Sequence, residues 1–192
     1  SYVALGSLVS LSSGDLGTNK VISIIDSDLS GHAEYGQGVV LSFRALLTDV
    51  GGNKKDGSVS STTLTIDTII PVDFTTGVVT AVGGEVQADY WNGSNSVLTV
   101  SVPIAGDVSL TGGTVQIQGR ATGDYENLGA AMGIVNADLS KDKVITLPGL
   151  STALSSLVGY GQGAVLSFSA VLTDLAGNKR DGSVSGSKLT VD

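Results

Sequence analysis

GQGVVLSFRALLTDVGGNKKDGSVSSTTLTID, residues 36–67, is written a second time at 161–192 as GQGAVLSFSAVLTDLAGNKRDGSVSGSKLTVD, with most positions identical. The offset is 125, since Asp49 is answered by Asp174 (174 − 49 = 125) and Asp67 by Asp192. Within the stretch Val39, Leu41, Phe43, Ala45 and Leu47 alternate with Val40, Ser42, Arg44, Leu46 and Thr48, the period of a strand with one face on a core. Gly51, Gly52, Asn53 and Gly57 tolerate positive φ or bond their own backbone, so the chain reverses there. Residues 58–67, rich in Val, Thr and Ile, return as a second strand. Pro71, with no N–H to give a ladder, marks the linker that follows. A hairpin and linker repeated at domain length predict an array, which serves reach, spacing or multivalency more often than a single reaction.

Upstream, Asp15, Leu16, Asn19, Lys20, Val21 and Ile22 answer Asp138, Leu139, Asp142, Lys143, Val144 and Ile145 at an offset of 123 (138 − 15 = 123). Residues 68–192 are therefore one whole period and 1–67 the closing half of another, so the chain is expected to begin in mid-repeat. The half copy offers strands at 2–10, 20–25, 39–48 and 58–67. Four strands with one apolar face cannot close a sandwich, so either the piece is cut from a longer protein or another copy supplies the missing strands.

In the whole copy, strands are expected at 73–81, 85–91, 96–104, 114–122, 128–135 and 142–147, before the repeated hairpin. Asn92-Gly93 predicts a two-residue hairpin turn. Leu98, Val100, Val102 and Ile104 should face the core, and Pro103 should mark a bulge or an edge. Leu150, Leu154, Leu157 and Val158 fall at helical spacing and predict a short helical crossover. The matching segment 25–35 is shorter and more polar, and no helix is expected there. About seven strands in a 125-residue period predict an all-β chain of tandem Greek-key β-sandwiches.

Composition agrees with that class. Charged residues make up 15% and mean hydropathy is +0.30, so there is ample apolar surface to bury and the chain is not of a disordered type. No window approaches the length of a bilayer-spanning helix. Cysteine is absent, as suits an exported bacterial surface protein that crosses its secretion channel unfolded. A net charge of −8 argues against nucleic-acid or anionic-membrane partners. Solubility alone explains that charge, and bound Ca²⁺ is a second explanation.

LTDVGGNKKDGSVSSTTLTIDTIIP, and LTDLAGNKRDGSVSGSKLTVD after it, resemble the closing strands and linker of bacterial immunoglobulin-like repeats, where a TDxAGN turn precedes a VTVDTTAP-like linker. SVLTVSVPI, SLTGGTVQIQG and YENLG are similar to the earlier strands of a longer variant found in tandem in very large secreted surface proteins and adhesins. The resemblance covers essentially the whole chain. It implies immunoglobulin-like sandwiches with a structural or adhesive role at the cell surface, Ca²⁺ stiffening the joints between modules, and neighbouring repeats or other copies as partners. A surface glycan or cell-surface ligand would then be bound through other regions. Ile69 and Ile70 replace the usual small residues before Pro71, which points to a more apolar joint.

The candidate metal ligands are acidic, because Ca²⁺ takes six to eight oxygens from carboxylates, amides and carbonyls. Asp49 and Asn53 of the turn, Asp67 of the linker strand, and a loop acid of the next copy, Asp107 or Asp124, are expected to converge at the joint. Asp174, Asn178 and Asp192 are the equivalent set at the other end. Asp and Asn also sit in turns for backbone reasons alone, and that is the favoured reading of Asp56 and Asp181.

No catalytic residues are expected, and the chain is not read as an enzyme. His32 is the only histidine, the complete repeat has none to activate a serine, and Asp138 and Asp142 lie beside Lys141 and Lys143 as turn charges. Tyr90, Trp91 and Tyr125 are either a sugar-stacking platform or core and edge packing, the second being favoured. Asn92-Gly93-Ser94 fits a glycosylation acceptor, although the turn already explains it.

Overall fold

The computed structural model describes residues 2–192, which divide into two units, Ser1–Thr68 and Ile69–Asp192. The first carries a short helix α1 (Asp26–Ser30) and four three-residue strands, β1 (Val40–Ser42), β2 (Leu46–Thr48), β3 (Lys54–Asp56) and β4 (Thr63–Thr65). β1 pairs with β4 and β2 with β3, both antiparallel. Ile66 is the only buried side chain among the unit's described residues.

The second unit is a complete sandwich. It runs β5 (Val79–Val82), β6 (Tyr90–Trp91), β7 (Val97–Ile104), β8 (Thr114–Arg120), β9 (Glu126–Gly133), β10 (Lys141–Pro148), α2 (Ser151–Ser155), β11 (Val165–Thr173), β12 (Lys179–Asp181) and β13 (Lys188–Val191). One sheet has the order β10-β7-β5; the other has β6-β13-β11-β8-β9, with β12 beside β11. The chain crosses between sheets from β5 to β6, from β6 to β7, from β7 to β8, from β9 to β10 and from β10 to β11, with the Greek-key connectivity of an immunoglobulin-like sandwich.

Alternation in sequence becomes the core directly. Leu98, Val100, Val102 and Ile104 of β7, Val115 and Ile117 of β8, and Leu166, Phe168, Ala170 and Leu172 of β11 are buried in one cluster, while the residues between them are partly exposed, except Ser169, which is buried and donates to Gly182 O (2.8 Å). Each such Val, Leu, Ile or Phe side chain stabilises the fold by about 1.5–3 kcal/mol in transfer terms. β5 reaches only Val97–Val100 of β7, so Pro103 lies where β10 is the one strand paired with β7, and the missing N–H breaks no ladder on the open side. Leu150, Leu154 and Leu157 anchor α2 to the core, whereas Val158 is exposed.

Four expectations change. Asn92-Gly93 does not close a hairpin: β6 pairs in parallel with β13 and β7 belongs to the other sheet, so the turn carries the chain between sheets. Its geometry is an Asx turn, Asn92 Oδ1 accepting from Ser94 N–H (2.9 Å) and Asn95 N–H donating to Asn92 O (3.0 Å). Segment 85–91 contributes only the two residues of β6. α1 forms where no helix was expected; Asp26 and Asp28 sit in its first turn, where carboxylates favour a helix start, and Leu29 is its half-buried anchor. Finally, 2–10 and 20–25 of the first unit form no strand, although their counterparts do.

Candidate functional site

The repeated turns are shaped by their own side chains. Asn53 donates its backbone N–H to Asp49 Oδ1 (2.8 Å) and its side-chain amide to Oδ2 (2.8 Å). Asn178 does the same to Asp174, at 2.9 Å and 2.9 Å. These bonds hold the Asp49 carboxyl below the usual carboxylate range, Asn53 being the main cause. At the far end of each hairpin Gln37 donates to Asp67 (2.8 Å), and Gln162 donates to Asp192 (2.7 Å).

The expected convergence of turn and linker acids is overturned by strand register. Within the first unit Asp49 follows β2, while Asp67 follows β4, whose partner β1 opens the same hairpin, so the two acids lie at opposite ends. In the second unit Asp174 and Asn178 lie at the end of β11 and Asp192 lies beside its start. Asp107, whose Oδ1 accepts from Ser109 N–H (2.9 Å), is on the Asp174 side, because Leu175 N–H donates to Ser109 O (3.0 Å). Asp124 follows β8 at the other end, near the start of β11. The asparagine amides that a cation would need as oxygens instead point N–H groups at the aspartates, so the turn pairs do not fit Ca²⁺. Among the described residues no three His, Cys, Asp or Glu side chains gather at metal-binding distance.

The aromatic platform is not assembled either. Trp91 is 2% exposed in the core, and Arg120 covers the Tyr125 ring at 4.5 Å, leaving Tyr90 as the exposed ring of the three. His32 Nδ1 accepts the Glu34 N–H (3.1 Å), a local turn contact. Asp138 bonds Lys143 (2.7 Å) and accepts the Val135 N–H (2.9 Å); the lysine first and the amide second hold its carboxyl low. Asp56 is paired with Arg44 at 2.9 Å and is thus more than a turn residue.

The uncovered apolar face expected of the four-strand half copy is visible in the side chains of the first unit. Leu47 is 55% exposed where its counterpart Leu172 is 1% exposed, and Ile22 is 53% exposed where Ile145 is 1% exposed. Beside Phe43 a cleft of about 260 Å³ runs between Leu5, Leu29 and Leu41.

No family model matches the chain, and no curated protein matches it. Among solved structures it is similar to the chicken CNTN1 FN1-FN3 domains, with 12% identity and a TM-score of 0.33 over 78% of this chain and 43% of that one. The chain thus spans less than half of that structure's length, and a likeness of this degree adds nothing to what the sheets themselves establish. No helix of the described residues is long and apolar enough to cross a membrane.

Proposed function

We propose that the chain is part of a tandem array of immunoglobulin-like sandwiches serving as a structural spacer in an extracellular protein of the bacterial surface type. The observation that supports this is the residue-for-residue reuse of one closing hairpin: Val40 pairs with Thr65 as Val165 pairs with Thr190, and Leu46 with Asp56 as Val171 with Asp181. The side chains best placed for chemistry are spent on shaping turns, Asp49 and Asp174 each accepting two N–H groups of the asparagine four residues on. Absent cysteine and an acidic surface suit export and solubility. The role is mechanical: serial modules carry load and set spacing.

Force-extension measurements on a concatemer of residues 69–192 test this. Modules built for load unfold one at a time, each releasing roughly 400 Å of contour from about 3.4 Å per extended residue. Extension without discrete peaks, or a single peak for the whole concatemer, would reject the spacer reading.

A further inference from the structure

Three glycines follow a residue whose side chain can close a five-membered ring on the next peptide nitrogen: Gly57 after Asp56, Gly93 after Asn92 and Gly182 after Asp181. The ring forms only where that nitrogen is free to attack. Gly57 N–H donates to Ala45 O (2.8 Å) and Gly182 N–H to Ala170 O (2.8 Å), so both are held in the closing hairpins. Gly93 N–H donates to no acceptor among the described residues, and a Cβ on Gly93 would meet nothing within 4 Å, so this peptide has room to rotate. Asn92 is also the only asparagine of the chain that precedes a glycine.

The same turn prepares the carbon to be attacked. Its Asx geometry curls the Asn92 side chain over the Gly93 peptide, and Oδ1 accepts from both Ser94 N–H (2.9 Å) and Ser94 Oγ–H (2.7 Å). Two donors on one carbonyl oxygen stabilise the negative charge that gathers there when its carbon is attacked. Ser94 is itself held in place: its Oγ accepts the Glu85 N–H (2.9 Å), and a Cβ on Gly84 would stand 2.5 Å from that oxygen. Asn92 is anchored through its N–H, which donates to Asn95 Oδ1 (2.8 Å), and through Nδ2, which donates to Glu85 O (2.8 Å).

We propose that Asn92 is a site of spontaneous deamidation that the folded turn accelerates. Hydroxide takes the Gly93 amide proton, the nitrogen pair forms a bond to Asn92 Cγ, and charge gathers on Oδ1 between the two Ser94 donors. As that charge returns, the Cγ–Nδ2 bond breaks and Nδ2 leaves as ammonia with a proton from water. One water then opens the succinimide at either carbonyl, to an aspartyl or an isoaspartyl residue, with no change of oxidation state. Either product sets a carboxylate oxygen against Glu85 O where Nδ2 donated, and the isoaspartyl one adds a backbone carbon in the crossover from β6 to β7, between the buried Trp91 and Asn95. The module thus carries a modification that weakens it with age and needs no enzyme.

The test incubates the full chain in mildly alkaline buffer at physiological temperature, follows each asparagine by peptide mass spectrometry, and counts isoaspartate by enzymatic methylation. Asn92 should convert first, at least about 10-fold ahead of Asn53 and Asn178, which precede lysine. It should also convert at least about 5-fold faster in the folded chain than in a peptide of residues 88–97, where the two Ser94 donors are not held in place. Ser94→Ala, checked as folded by Trp91 fluorescence, should remove most of that advantage and leave the peptide rate unchanged. Gly93→Ala, for which the turn has space, should suppress conversion in chain and peptide alike. A folded-chain rate at or below the peptide's overturns the proposal without any variant. Conversion of Asn53 or Asn178 ahead of Asn92 overturns it as well, and so does a Ser94→Ala chain that converts as fast as the parent.

Discussion

The two copies of the closing hairpin carry nearly the same residues in two surroundings. The 165–173 copy is one continuous nine-residue strand; the 40–48 copy is two three-residue pieces separated by Phe43–Ala45. The hydrogen bonds to the returning segment are the same in both, so the interruption does not come from the hairpin. It comes from the other side, where β8 pairs with one copy and no described strand pairs with the other. Local sequence thus sets turn and register, and non-local pairing decides whether the result is a strand. Tyr2 and Tyr125 repeat the lesson: Tyr125 is covered by Arg120 of β8, and Tyr2, its counterpart, is covered by Arg44 at 4.3 Å from its own hairpin.

The sharpest way to break this comparison is Phe168→Ala set against Phe43→Ala. Trp91 is the only tryptophan and is buried in the second unit, so its fluorescence reports that unit's unfolding in urea. Phe168 is fully buried, and truncating it should cost about 3–5 kcal/mol. Phe43 stands half-buried over the open cleft, and its truncation should move the Trp91 transition by less than about 0.5 kcal/mol. Equal shifts would mean that the two units unfold as one body and that their surroundings do not differ as described.

A smaller effect is expected at the turns. Asp174 is 3% exposed, so Asp174→Ala leaves two Asn178 donors without their acceptor where water reaches poorly, a cost of about 1–3 kcal/mol in the Trp91 transition. Asp49 makes the same bonds in an exposed turn, where water replaces the carboxylate, and Asp49→Ala should leave that transition in place. A loss at Asp49 as large as at Asp174 would show that turn chemistry, and not burial, sets the cost.

Those turns were readable from sequence because Asp-x-x-x-Asn with glycine is a local solution, complete within five residues. Gly38 and Gly163, at φ of 76° and 79°, are equally local. The strand faces of β7 and β11 were readable for the same reason, each residue's neighbours being two positions away. What was not readable depended on partners far along the chain. Asn92-Gly93 looked like a hairpin because nothing nearby says that β6 joins β13, and 20–25 looked like a strand because its missing partner leaves no trace in its own residues. The acids were expected to meet because their order along the chain conceals that a hairpin carries its turn and its terminus to opposite ends.

The smallest effect should come from an ion pair that both copies keep. Asp15 is held down to about 2 by Lys20 (2.8 Å), with the Ser12 amide and hydroxyl adding to it, and Asp138 is lowered by Lys143 and then by the Val135 amide. A carboxylate whose folded pKa lies below its unfolded value of about 3.9 contributes stability that is present above that value and is lost as pH falls through the folded one. Asp138→Asn should therefore flatten the fall in the Trp91 urea midpoint as pH drops from 5 to 3, while Asp15→Asn, in the open unit, should leave that profile unchanged. The pair lies within a six-residue segment and needs no neighbouring strand, which is why it survives where the sheet does not. A Asp138→Asn profile that parallels the parent would place the Lys143 contact outside the forces holding the second unit, and would leave the hydrophobic difference between the copies as the whole of their contrast.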